Sequence, residues 1–198
     1  ANRIMINPFD EEDVTRALLG GQEVCYEIWR FLRDFVPGFK NSNVLAVPSY
    51  MGIRRGAQII GDHVYTAEER EQFLKYPDVI GAASRKTSRA YEVPYSVMLP
   101  KKIENLLVAS GKTVSTDDYL PYRVKPACMI LGQAAGTAAA LCEKGCMTPR
   151  QLPIRDLQQA LLESNVFLGD ANRLGELGLV RETADFFGGH ATLLSKKD

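Results

Sequence analysis

The stretch PACMILGQAAGTAAALCEKG, residues 126–145, constrains this chain more than any other part of it. A helix is expected over residues 126–143, with Pro126 in its first turn and Gly145 just beyond its end. Gly132, Gly136 and Ala140 recur every four residues and so form one smooth stripe, widened by Ala134, Ala135, Ala138 and Ala139. A helix this bare can approach another backbone closely, either in plain helix-on-sheet packing or beside a large flat cofactor. Just upstream lies NLLVA, residues 105–109, a short apolar run that suits a buried strand of a parallel sheet. Ligands of open α/β sheets bind at the carboxyl ends of strands. Amides at the start of the following helix favour negative charge there by about 0.3–1 kcal/mol, more when buried. The amides of Ala127, Cys128 and Met129, with the Arg123 cation just before them, therefore suit a phosphate or the N1–C2=O edge of a reduced flavin. Arg123 alone reads equally well as a surface ion pair.

Composition narrows the function classes. The 198 residues carry 24 Lys+Arg against 24 Asp+Glu, so no basic excess exists to neutralise nucleic-acid phosphates. Apolar residues make up 45%, enough to disfavour disorder as the dominant state. No apolar run reaches the roughly 20 residues that a membrane span needs. The four cysteines, Cys25, Cys128, Cys142 and Cys146, are too sparse for a disulfide scaffold and contain no CxxC pair. The two histidines, His63 and His190, are remote from them in sequence, so no metal site is expected. Reduced thiols and a cytoplasmic location follow as the expectation. The first residue is Ala1, which leaves open a processed product or a piece of a longer protein.

Elsewhere the pattern is α/β, a mixed sheet with flanking helices. Apolar residues at a helical period predict a helix over residues 10–35, kinked, broken or closely approached at Gly20-Gly21 and ended by Pro37-Gly38. Residues 44–47 and 53–60 suggest extended strands. Thr66 with Glu69 is a capping box opening a helix over residues 67–75. Residues 79–83 suggest a strand, and residues 91–99, with two prolines, an edge strand or extended loop. A helix is expected at residues 154–165 and a short one at residues 171–177, with a frayed end around Gly188-Gly189 and residues 195–197.

The run from residue 105 to residue 141, NLLVASGKTVSTDDYLPYRVKPACMILGQAAGTAAAL, resembles the carboxy-terminal FAD-contacting segment of FAD-dependent oxidoreductases. These are relatives of the succinate dehydrogenase and fumarate reductase flavoproteins, with a glutathione-reductase-type FAD domain. The blocks RFLRDFVPGF, MGIRRGAQIIGDHVYT, VPYSVMLPKKIENLLVA and PRQLPIRDLQQALLE resemble the same pattern in the same order, so the likeness covers residues 10–165.

The resemblance implies a partial Rossmann-like FAD domain, its last strand and helix, joined to a substrate or cap region. Residues 1–104 would be the cap, residues 105–168 the FAD-domain segment with its following helix, and residues 169–198 an irregular tail. No GxGxxG turn occurs in the chain, so the resemblance implies that the amino-terminal dinucleotide-binding half is absent, on another chain or a removed segment. By position, Ser110 and Gly111 match the turn near the ribityl and pyrophosphate region, where the family more often reads Ala-Gly. Arg123, Pro126, Ala127, Cys128 and Met129 match the flavin-edge segment, and Cys128 is a packing residue rather than a redox thiol. Arg54 matches the first Arg of an Arg–acid–hydroxyl–Arg cluster, but Arg55 and Ala57 replace later members, which implies a different substrate or lost activity. His63 stands where the family is usually aromatic; it is either structural or a general acid/base. The implied activity is hydride transfer between a small organic substrate and FAD, with this chain inactive by itself. The alternative is a non-catalytic cap or interaction domain that needs a partner chain to hold FAD. Self-association into a homo-oligomer is also expected if apolar surface is left uncovered.

Overall fold

The computed structural model describes residues 6–84 and 89–179, in two compact units divided after Gly56. The expected frayed end at residues 188–189 and 195–197 lies outside the described residues.

The first unit is built on helix α1, Glu11–Phe35. Asp10 caps it, its carboxylate accepting from the amides of Glu12 and Asp13 at 3.0 and 3.1 Å. Glu11, Glu12 and Asp13 in the first turn and Arg33 in the last complement the helix dipole. The chain then turns at Pro37-Gly38 and returns along the helix. Trp29 Nε1 donates to the Ser42 carbonyl at 3.1 Å, and Gln22 Nε2 to that of Pro48 at 3.0 Å. Two expectations fail here. Helix α1 runs unbroken through Gly20 and Gly21, and a Cβ at either would meet nothing within 4 Å. Residues 44–47 form no strand, nor do residues 53–60, because no neighbouring strand among the described residues offers them a ladder.

The second unit holds the buried core. Helix α2, Ala67–Gln72, opens on the expected capping box, with Glu69 N–H donating to Thr66 Oγ1 at 3.2 Å and Thr66 N–H to Glu69 Oε2 at 2.8 Å. It ends before Lys75 because Phe73 takes a left-handed conformation, φ 52°. Strands β1, Val79–Ala83, and β2, Tyr91–Pro94, pair antiparallel, with a bulge between Val79 and Gly81. A 3₁₀ turn over Tyr95–Met98 follows. Then come α3, Tyr119–Tyr122, α4, Lys125–Gly145, α5, Ile154–Glu163, and α6, Ala171–Glu176.

Helix α4 lies across β1 and beside α5. It buries Ala127, Leu131, Ala134, Ala138 and Cys142 against Ile80, Val93, Val97, Leu157 and Leu161. The close approach comes from the strand rather than from the helix. A Cβ on Gly81 would sit 2.6 Å from Ile130 Cγ2, so glycine in β1 admits a helix side chain. A Cβ added at Gly132 or Gly136 would meet nothing within 4 Å, and with Ala140 these residues face outward. The smooth stripe thus does not mediate packing among the described residues, because the larger Leu131 and the alanines beside it point at β1 instead. The helix also ends two residues later than expected. Gly145 is its last residue, and Cys146, φ 49°, is the left-handed cap. Met147 N–H closes onto the Cys142 carbonyl at 3.0 Å.

The apolar run NLLVA is a further departure. It forms no strand, and among the described residues the sheet has only β1 and β2. Residues 106–110 carry no regular secondary structure, and Val108 N–H bonds to the Met98 carbonyl at 3.0 Å. The mixed helix and small sheet remain compatible with α/β. Among the described residues no helix is long and apolar enough to cross a membrane.

Candidate functional site

The loop from Ser110 to Val124 is held almost residue by residue. The Ser110 carbonyl accepts from the amides of Thr113 and Val114, both at 3.0 Å, and its hydroxyl accepts from Lys112 N–H at 3.4 Å. The hydroxyl therefore caps its own turn. Ser115 N–H then donates to the Val97 carbonyl at 3.0 Å, and Tyr65 N–H to that of Ser115 at 3.1 Å. Asp117 N–H and Thr116 Oγ1 both donate to the Tyr65 carbonyl, at 3.0 and 2.7 Å. Burial of Val114, Ser115, Thr116 and Asp118 makes each of these bonds expensive to break.

Asp118, 8% exposed, is the carboxylate at the centre of this loop. Arg70 of α2 reaches it through Nε at 2.5 Å, and Leu120 N–H donates to its other oxygen at 3.3 Å, opening α3. Tyr91 Oη donates to the Pro121 carbonyl at 2.7 Å, tying the same short helix to β2. Tyr122 is fully buried with its ring edge-on to Tyr65, centroids 5.0 Å apart. Its phenol has no hydrogen-bond partner, and burial raises its pKa far above the ordinary phenol value.

Seven of the residues singled out in the sequence meet at this end of α4. Gly111 sits directly on the Tyr122 carbonyl, and a Cβ there would also lie 3.0 Å from Cys128 Sγ. Cys128 donates its thiol to the Tyr122 carbonyl at 3.4 Å. Half-buried Arg123 and the helix cap Val124 follow, and no side chain hydrogen-bonds the cap. The first turn is open: Lys125, Pro126, Cys128 and Met129 are exposed, Met129 by 72%, while Ala127 is buried. One expectation about the amides needs correction. Because Val124 is the cap, Cys128 N–H already bonds to the Val124 carbonyl at 3.1 Å. The helix closes from there on, so Cys128 and Met129 lend no free amide; the amides ahead of that bond are those of Lys125 and Ala127, since Pro126 has none.

Two candidates remain. Arg54 is exposed and belongs to the first unit. His63, half-buried in the second, places Nε2 3.1–3.2 Å from the carboxylate oxygens of Glu69, the capping-box residue of α2. Its ring packs against Tyr76, centroids 5.5 Å apart. The pair Arg70 and Asp118 was not visible in the sequence, since 48 residues separate them without any motif. Among the described residues no group of three or more His, Cys, Asp or Glu side chains could hold a metal ion.

A family model described as FAD dependent oxidoreductase matches residues 1–161. Comparison with curated proteins and with solved structures gives no match.

Proposed function

The chain belongs to the FAD dependent oxidoreductase family, and on that premise we propose that residues 110–129 form the part of an oxidoreductase that receives the flavin edge. FAD is the family's cofactor. The residues at the start of α4 fit such a group. A helix opening without a side-chain cap, flanked by Arg123 and Lys125 and open to solvent, favours an anionic edge. The Gly111 crossing leaves no room for a side chain between loop and helix, which keeps the backbone close to that opening. This opening is the observation that carries the reading.

Bound FAD supplies hydride chemistry, exchanged in this proposal with a small organic substrate. The chain's own residues bind and orient. The Arg123 guanidinium stabilises negative charge at the flavin edge, and the amide of exposed Lys125 adds a fixed donor. Ser110 and Gly111 set the turn that the ribityl side passes. Arg54, with Arg55 and Ala57 in place of later members of the family's cluster, marks a substrate unlike that of succinate dehydrogenase and fumarate reductase relatives. His63 serves as the proton-exchanging group, with Nε2 held by Glu69 and Nδ1 left to work. The outward face of α4, with Gly132, Gly136 and Ala140, supports a second reading in which the chain is a cap or subunit whose partner holds the adenosine end of FAD.

Titration of the purified protein with FAD, followed by flavin absorbance and fluorescence, tests the proposal. Arg123→Ala is expected to weaken FAD binding or lower the flavin reduction potential. Unchanged affinity and potential would remove Arg123 from the site. A protein that stays colourless with FAD until an amino-terminal half is added supports the second reading.

A further inference from the structure

We propose that Arg70 is a positioning residue for the flavin-edge segment, acting through Asp118; the inference rests on the reading of residues 110–129 given above. Arg70 does not belong to that segment, but its guanidinium reaches into the loop that carries it.

The argument follows the chain. Helix α2 is fixed in place by its capping box, and Ala67 N–H also donates to Asp117 Oδ1 at 3.0 Å. Arg70 therefore projects from a turn already tied to the loop. Its Nε meets Asp118 Oδ2, while Asp118 Oδ1 receives Leu120 N–H, so one carboxylate takes both the guanidinium and the first turn of α3. Four residues later the chain arrives at Tyr122, whose carbonyl is pressed on Gly111 and takes the Cys128 thiol. Arg123 and the cap of α4 come next. Where α3 begins thus decides where Arg123 and the opening of α4 lie.

The chemistry of the pair favours positioning over bulk stabilisation. The Asp118 side chain is 8% exposed and that of Arg70 36%, so the acid is desolvated while the base keeps contact with water. Such a pair adds little net stability over an apolar substitute, yet removing one partner leaves the other charge uncompensated. The carboxylate must then be protonated or reorient, and the Leu120 cap moves with it. The planar guanidinium gives Nε one fixed direction, which a lysine ammonium does not. A second ion pair of Arg70, to Glu71 at 3.7 Å, is on the exposed surface and sets no loop geometry.

Five variants, Arg123→Ala among them, test this by FAD dissociation constant and flavin midpoint potential, read beside thermal stability. Arg70→Ala and Asp118→Asn are expected to weaken FAD binding at least tenfold. Arg70→Lys keeps the charge without the fixed fork, and its affinity is expected to fall between those of Arg70→Ala and the parent. Arg150→Ala is the control. It removes bonds to Asp62, Glu104 and the Pro100 carbonyl, touching no residue of the loop 110–124. It is expected to lower stability without changing affinity or potential. If Arg123→Ala alters FAD binding but Arg70→Ala and Arg70→Lys do not, the positioning role is overturned while the site stands. If Arg150→Ala weakens FAD binding as much as Arg70→Ala, the effect is general destabilisation and the role is again overturned. If Arg123→Ala alters neither property, the site itself falls, and the role of Arg70 with it.

Discussion

A Cβ placed on Gly111 would lie 2.6 Å from the carbonyl carbon of Tyr122 and closer still to its oxygen, well inside any permitted contact. The atoms it would meet are backbone, which cannot swing aside as a side chain does. Gly111→Ala must therefore displace either the turn at Ser110 or the link from α3 to α4. A loss of about 1–3 kcal/mol is expected, in the range of overpacking in a filled interior. Urea melts of the parent and Gly111→Ala measure it, and an unchanged midpoint would mean that this crossing is loose.

Gly132 behaves in the opposite way. It lies in the interior of α4 with nothing within 4 Å of a Cβ. Gly132→Ala is expected to raise stability by about 1 kcal/mol through helix propensity alone. A melt that shows a clear loss would mean that the outward face of α4 is covered in solution.

The two glycines show what the sequence could and could not tell. Spacing at i, i+4 identifies residues that share a helix face, and Gly132, Gly136 and Ala140 do share one. It does not say which face turns inward, and α4 turns the Leu131 side toward β1. The capping box was readable, because Thr66 and Glu69 act over three residues. Strand β1 was readable from its apolar run, while NLLVA is also a short apolar run and has no ladder. Strand formation depends on neighbours far along the chain, so the pattern alone cannot distinguish the two. The same holds for Arg70 and Asp118, whose partnership exists only after folding.

Gln158 is buried in α5 and gives both its amide protons away, to the carbonyls of Pro77 at 2.8 Å and Val79 at 3.0 Å. Gln158→Leu keeps the volume and leaves two desolvated carbonyls. A loss of about 2 kcal/mol or more is expected, read from chemical denaturation. Retained stability would show that water reaches the start of β1.

Tyr122 presents the reverse case, a phenol with no partner inside the core. Tyr122→Phe removes a desolvated hydroxyl and keeps the edge contact with Tyr65. Stability is expected to hold or rise by up to about 1 kcal/mol. A loss in the thermal melt would show that the hydroxyl is bonded in solution.

Glu176 sets an acid limit on α6. Hydrogen bonds from Lys75, then Arg173, hold its carboxyl below the usual range. A folded value lower than the unfolded one contributes stability that is present above the unfolded value. It is lost as pH falls from the unfolded value through the folded one. The group is exposed, so added salt weakens the effect. Denaturation at a series of pH values is expected to show a shallower acid loss for Glu176→Gln than for the parent, and equal slopes would exclude this triad from the acid response.

The open side of β1 receives a bond from beyond the family match. Ala82 N–H donates to the Phe167 carbonyl at 3.1 Å. Arg173 clasps Glu92 of β2 through Nε at 2.8 Å and reaches the Tyr76 carbonyl at 2.7 Å. Leu162, Leu168 and Leu179 bury one another behind that clasp. Trimming the chain at residue 161 would strip all three at once, leaving a bare ribbon margin ready to stick to its own kind. A boundary for expressing this unit therefore falls no earlier than Leu179, eighteen residues past the end of the match.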